Sequence, residues 1–195
     1  MRRREDLSTE LALRARFEEV YEANYHRILG YAMRRTHDVE AADVVAETFT
    51  IAWRRLGDVP EGEAARLWLY GTARRVLANR RRAERRRVRL QARMRDRATL
   101  TSVETEPANR DGLAAAFARV PADQRELLAL VAWEELDSRQ IATVLGCSTN
   151  AVRIRLHRAR RRLAVELERE GIAVKRPRPN RHAERGSSSP TEEPA

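Results

Sequence analysis

Residues 138–160 read SRQIATVLGCSTNAVRIRLHRAR. Ala142 stands where two helices must cross closely, so a small side chain is required there. Gly146 follows four residues later, where the chain turns through a left-handed conformation that glycine reaches most easily. Val152, six residues further on, is placed to plug the crossing from a second helix, and Ile141 and Leu145 complete a small core. Ser138 is placed to cap the first helix, and Ser148 or Thr149 the second. These independent offsets describe a helix-turn-helix.

The second of these helices has a core face of Val152, Leu156, Ala159 and Leu163 and is predicted to run to about Glu168. Its other faces carry Thr149, Asn150, Arg153, Arg155, His157, Arg158, Arg160, Arg161 and Arg162. In such motifs the helix N-terminus enters the major groove. Asn150 and Arg153 are therefore the candidates for base-edge contacts, Asn with adenine and Arg with guanine. Ser148 and Thr149 suit phosphate, helped by the helix N-terminus, and Arg155, His157 and Arg158 extend the candidate DNA-binding face. The competing reading is a helical hairpin with a solvated basic face. Charge alone does not separate the two, but the Ala-Gly-Val spacing weighs against the hairpin. Cys147 reads as a small turn residue.

The whole chain has a matching bias. It carries 39 basic against 29 acidic residues, a formal net charge of +10 over 195 residues. Lys175 is its single lysine. Arginine grips phosphate with two parallel hydrogen bonds, which favours a polyanionic partner. Part of the preference for arginine over lysine belongs to genomic base composition, but that does not explain the clustering. Aromatic residues make up 5%, too few for large base-stacking platforms. With Cys147 alone and His26, His37, His157 and His182 scattered, no zinc spacing and no intramolecular disulfide is available. No apolar run is long enough to span a bilayer and the N-terminus lacks an apolar leader core. The expectation is a cytoplasmic protein with no direct membrane insertion, no cofactor and no metal.

The prolines at 60, 107, 121, 177, 179, 190 and 194 avoid every long periodic segment, and no stretch alternates as a strand does. The predicted fold is all-α: two small helical domains joined by a basic linker, the second containing the helix-turn-helix. Residues 8–36 form one or two amphipathic helices through Leu11, Leu13, Phe17, Val20, Tyr21, Tyr25, Ile28, Leu29 and Met33. Asp38 is placed to cap the next helix, which buries Val45, Phe49, Ala52, Trp53 and Leu56 and turns Asp43, Glu47, Thr50 and Arg54 outward. After a loop containing Pro60, a long helix starts near Glu63. Trp68, Leu69, Thr72, Val76 and Leu77 point inward, and Arg75, Asn79, Arg82 and Arg86 share an outward face. From Arg80 to Arg97 arginines dominate, and the segment to about Pro107 reads as a basic, partly disordered linker. Beyond Gly171 the tail has little to bury and is expected to be disordered.

The front half decides between DNA-binding classes. Residues 40–56, EAADVVAETFTIAWRRL, and 65–82, ARLWLYGTARRVLANRRR, resemble conserved region 2 of the extracytoplasmic-function (ECF) sigma factors of bacterial RNA polymerase. Residues 117–163, FARVPADQRELLALVAWEELDSRQIATVLGCSTNAVRIRLHRARRRL, resemble region 4 of the same family. The resemblance covers about residues 12–95 and 110–165. It implies a region 2 domain at 8–95, a flexible linker at 96–108, a region 4 domain at 109–169 and a disordered tail at 170–195.

The resemblance further implies that Asp43, Glu47, Thr50 and Arg54 bind the polymerase β′ coiled coil. It implies that Arg74, Arg75, Asn79, Arg82 and Arg86 engage the −10 promoter element, and that the helix-turn-helix holds the −35 element and contacts the β flap. The expected partners are core RNA polymerase, promoter DNA and, for many members, an anti-sigma factor. No catalytic residue is expected, because polymerase performs the chemistry. This chain departs from the family pattern at Ala46, where glutamine is usual, at Arg75, where asparagine is common, and at Asn79, where aspartate is common, so an exact −10 preference does not transfer. Trp68 reads as a core residue ahead of a melting wedge, and Trp53 and Trp133 as core. The rivals are a free-standing regulator, which would need a ligand or dimerisation domain, and a nucleic-acid enzyme, which would need convergent carboxylates or a His/Cys site.

Overall fold

The computed structural model describes residues 2–95 and 112–173. The 96–108 linker and the tail beyond 173 lie outside the described residues. Seven α-helices occur among those described: α1 (Arg2–Met33), α2 (Asp38–Arg54), α3 (Glu63–Arg95), α4 (Gly112–Arg119), α5 (Ala122–Ala132), α6 (Ser138–Leu145) and α7 (Thr149–Arg169). No strand occurs among the described residues. Helices α1, α2 and α3 pack on one another, α4, α5 and α6 pack on α7, and α3 packs on α6.

In α2, Ala41, Val44, Val45, Thr48, Phe49 and Ala52 recur at helical spacing and are all buried. The buried Thr48 hydroxyl donates to the Val44 carbonyl at 2.7 Å, which satisfies it without a partner helix. Asp38 does not cap this helix: the N-cap is His37, with no side-chain cap bond, and Asp38 and Glu40 lie inside the first turn. There their charge still complements the helix dipole. A 3₁₀ turn, Leu56–Asp58, follows α2, and Arg16 of α1 donates to the Val59 carbonyl at 2.6 Å, tying the loop to the bundle. The arginine-rich run remains helical to Arg95, where the 96–108 linker is expected to begin.

In the rear half, α6 is capped by Asp137 and not by Ser138, which is the first helical residue. The Asp137 carboxylate accepts from the Arg139 and Gln140 amides at 2.7 and 2.8 Å, and Gln140 Oε1 accepts from the Asp137 amide at 2.9 Å. That reciprocal arrangement satisfies donors at the helix start in both directions. Gly146 closes α6 at φ 64°, and the Cys147 amide reaches back to the Ala142 carbonyl at 3.0 Å. Ser148 caps α7, its hydroxyl accepting from the Ala151 amide at 3.2 Å. Ile141, Ala142, Val152 and Leu156 are buried in one cluster at the crossing, as the spacing predicts, and Ala159 is buried in a second cluster with Val120 and Leu128.

The sequence suggests two separated modules, yet the buried apolar residues form one continuous cluster. It runs from Ile28, Tyr31 and Tyr70 to Leu130, Leu136, Ile141 and Val144. Gly71 marks the contact, since a Cβ there would sit 3.4 Å from the Val144 carbonyl oxygen. Trp68 packs half-buried against the cluster, in keeping with a core role. Trp53 and Trp133 are not core residues: they are 44% and 51% exposed, each edge-on to a phenylalanine, Phe17 and Phe117 respectively. Leu156→Ala is expected to cost about 2–5 kcal/mol through lost burial and a residual cavity. Urea denaturation should show this as a lower midpoint with an unchanged slope.

Candidate nucleic-acid interface

The first turns of α7 present an unencumbered polar face. Ser148, Asn150, Arg153, Arg155, His157 and Arg158 are exposed and Thr149 is half-buried. Arg153, Arg155 and Arg158 form no ion pair with the described residues. The far end of the same helix is different. Glu166 is fully buried and receives Arg162, Arg169 and Arg119 at 3.0, 3.0 and 3.2 Å. Burial alone would raise its carboxyl, but the three guanidiniums outweigh that and hold it below the usual carboxylate range. Arg119 also pairs with Glu170. The basic helix thus has an N-terminal half whose arginines face outward behind a capped helix end, and a C-terminal half in which Arg162 and Arg169 pair with Glu166.

A second basic row lies on α3. Arg75, Asn79, Arg82 and Arg86 are exposed on one face and span about 16 Å of helix. Arg82 donates to Asn79 Oδ1 at 2.8 Å and Arg75 to the Thr72 hydroxyl at 3.0 Å, so the row is partly preset. The sequence reading groups Arg74 with these four. Arg74 is exposed too, and it lines a cleft with Tyr31, Arg35, Asp123 and Glu126.

On α2, Asp43 and Thr50 are exposed, Arg54 is exposed, and Glu47 is half-buried. The two carboxylates are not free: Arg80 of α3 reaches Glu47 at 3.0 Å and Asp43 at 3.3 Å. The Thr50 hydroxyl donates back to the Ala46 carbonyl at 2.8 Å. Three further residues belong to this face. Val39, 81% exposed, and Trp53 lie fourteen residues apart with Ala46 midway, a seven-residue interval that was legible in the sequence. Arg80 was not, because it lies on another helix and only packing brings it to α2.

Among the described residues no group of three or more His, Cys, Asp or Glu could hold a metal ion, and no helix is long and apolar enough to cross a membrane.

Sequence comparison matches the Sigma-70 region 2 family at residues 20–87 and the Sigma-70 region 4 family at residues 110–163. The ECF RNA polymerase sigma factor SigL of Mycobacterium tuberculosis is 33% identical over 150 residues, 73% of this chain and 83% of that protein. The chain belongs to the ECF sigma factors. Two further relatives of this sigma factor are the RNA polymerase sigma factor YlaC of Bacillus subtilis, 28% identical over 73% of this chain and 87% of that protein, and the RNA polymerase sigma-H factor of Pseudomonas aeruginosa, 33% identical over 69% and 77%. The fold is similar to that of the sigma factor RpoE of Bartonella quintana, solved with the anti-sigma factor NepR. That likeness has a TM-score of 0.55 and 23% identity, covering 78% of this chain and 96% of that one. CnrH, solved with the cytosolic domain of CnrY, gives a TM-score of 0.53 at 23% identity, covering 78% of this chain and 88% of that one. The sigma factor is accordingly a DNA-binding factor of transcription initiation.

Replacing Ser148 by Ala should cost about 1 kcal/mol by removing the α7 cap, read as faster amide hydrogen exchange in the first turn of α7. The Gln140 amide, together with that of Arg139 and the Arg139 charge, holds the Asp137 carboxyl below the ordinary range against the opposing effect of burial. A depressed carboxylate stabilises the fold above its unfolded pKa and loses that contribution as pH falls through its folded value. The stability gap between the wild-type chain and Asp137→Ala should therefore be full at neutral pH and close under acid conditions, as followed by thermal melts across pH.

Proposed function

We propose that this sigma factor docks on core RNA polymerase through α2 and directs initiation by placing α3 at the −10 element and α7 at the −35 element. The observation that carries the −35 assignment is the free, outward N-terminal half of α7 behind a capped helix end. Asn150 and Arg153 are positioned for base edges, and Ser148, Thr149, Arg155, His157 and Arg158 for phosphates. The row of Arg75, Asn79, Arg82 and Arg86 supports a −10 role, with the exposed Arg74 beside it. Asp43, Glu47, Thr50 and Arg54, with Val39 and Trp53 beside them, form the face offered to the β′ coiled coil. A groove of about 900 Å³ lined by Leu113, Phe117, Leu128, Trp133 and Leu163 supports the β flap contact.

In this reading residues 8–95 act as region 2, 96–108 as the tether, 109–169 as region 4 and 170–195 as a tail. The tether keeps the second module at high effective concentration once the first is bound. Polymerase carries out the chemistry, so the chain acts in the cytoplasm as a specificity subunit and not as an enzyme. Two solved structures of similar fold hold anti-sigma partners, which favours such a partner here.

Run-off transcription with core polymerase on genomic fragments, with start sites mapped, tests the proposal. The expected outcome is initiation at a discrete promoter set, absent with core enzyme alone. Arg153→Ala should weaken −35 binding by about 1–3 kcal/mol and relax one base preference. An unchanged promoter profile for that variant would remove Arg153 from its role.

A further inference from the structure

The two halves of the chain are joined by a buried ionic cluster. Glu126, within α5, and Glu134, just beyond its end, meet Tyr31, Arg34 and Arg35 at the end of α1. The Tyr31 hydroxyl donates to Glu126 Oε1 at 2.9 Å, and Arg35 Nε donates to Glu126 Oε2 at 2.8 Å. Arg35 Nη1 donates to Glu134 Oε1 at 3.1 Å, and Arg34 Nη2 to Glu134 Oε2 at 2.7 Å. The Arg35 guanidinium also lies 3.6 Å over the Tyr31 ring. The side chains of Arg35 and Glu134 are only 6% and 2% exposed. Solvent screens such a network far less than a surface pair.

This arrangement cannot coexist with the promoter-bound state, an argument that rests on the function proposed above. Elements centred at −10 and −35 are about 25 base pairs apart, or about 85 Å along a duplex at 3.4 Å per pair. In the structure Gly71 of α3 touches Val144 of α6. Asn79 is about 12 Å along α3 from that contact, and Asn150 is at most about 22 Å of chain from Val144. The two DNA-reading faces are therefore less than about 40 Å apart. A duplex this short does not fold back to meet them, its persistence length being about 150 base pairs. Residues 96–111 can span about 60 Å if extended, so the halves can separate without melting a helix.

We propose that Glu126 and Glu134 latch the free sigma factor closed, and that engagement of polymerase and promoter requires this latch to release. The latch is built for release. A buried ion network recovers solvation when it opens, so it specifies one arrangement while adding little net stability. The Arg35 Nη2 atom, buried without a hydrogen-bond partner, adds to the cost of staying closed.

The test uses the full chain, free in solution, in a Cys147→Ser background with dyes on cysteines placed at the exposed positions Glu22 and Arg161. Single-molecule energy transfer should show one dominant high-transfer population. Replacing Glu126 and Glu134 together by Gln should shift the closed-to-open ratio about tenfold or more toward low transfer, with helical content by circular dichroism unchanged. Tyr31→Phe, which deletes one hydrogen bond and keeps the ring, should shift it the same way by less, and it serves as the decisive variant if the double substitution unfolds. A free chain that is mainly low-transfer, or variants that stay as closed as the parent, would overturn the latch. Adding core polymerase with promoter DNA should move the parent to low transfer. Failure of that step alone, with the free-chain shifts intact, would count against the sigma-factor mechanism and not against closure.

Discussion

Helix α6 spans only Ser138–Leu145, too short to be stable in water by itself. It persists because both ends are closed, by the Asp137–Gln140 box and by Gly146, and because two different sides are packed. Ala142 admits Val152 of α7 beneath it, which sets the angle at which the recognition helix departs. Val144 lies close to Gly71 of α3, where a Cβ would just reach van der Waals contact with the Val144 carbonyl oxygen. One small helix thus couples the DNA-reading element to the front half of the molecule. Small residues, Ala142 and Gly71, stand at both approaches.

The chain's excess of arginine acquires meaning from how it is divided. Some guanidiniums are consumed internally: Arg34 and Arg35 on Glu126 and Glu134, Arg80 on Asp43 and Glu47, and Arg119, Arg162 and Arg169 around Glu166. Others, at the start of α7 and along the outer face of α3, have no such partner among the described residues. A buried carboxylate surrounded by arginines fixes local geometry, whereas an exposed arginine row on a helix attracts phosphate. Net charge reports the total, but the separation between structural and available cations determines where a polyanion can bind.

Much of the architecture was legible because it depends on local periodicity and turn chemistry. The helix-turn-helix spacing, the Ser148 cap, the buried face of α7 and the start of α3 at Glu63 follow from residues near one another in sequence. The misreadings share a cause. Asp38 and Ser138 are good capping residues next to the true caps, and the position one residue earlier is decided by where the preceding chain arrives. Trp53 and Trp133 read as core by hydrophobicity, but each meets a single phenylalanine edge-on and keeps about half of its surface exposed. Arg80 lies in the arginine-rich run, yet it meets Asp43 and Glu47, supplied by α2.

The sequence by itself determined that this is an all-α, arginine-rich chain with a recognition helix, an acidic-faced helix and a long basic helix in the order of an ECF sigma factor. Those features are short-range, set by residue spacing, glycine conformation and side-chain chemistry. Only the tertiary structure decided which charges remain available and that the two halves close on each other. That decision rests on contacts such as Arg35 with Glu126 and Gly71 with Val144, between residues more than seventy positions apart, whose pairing no local pattern encodes.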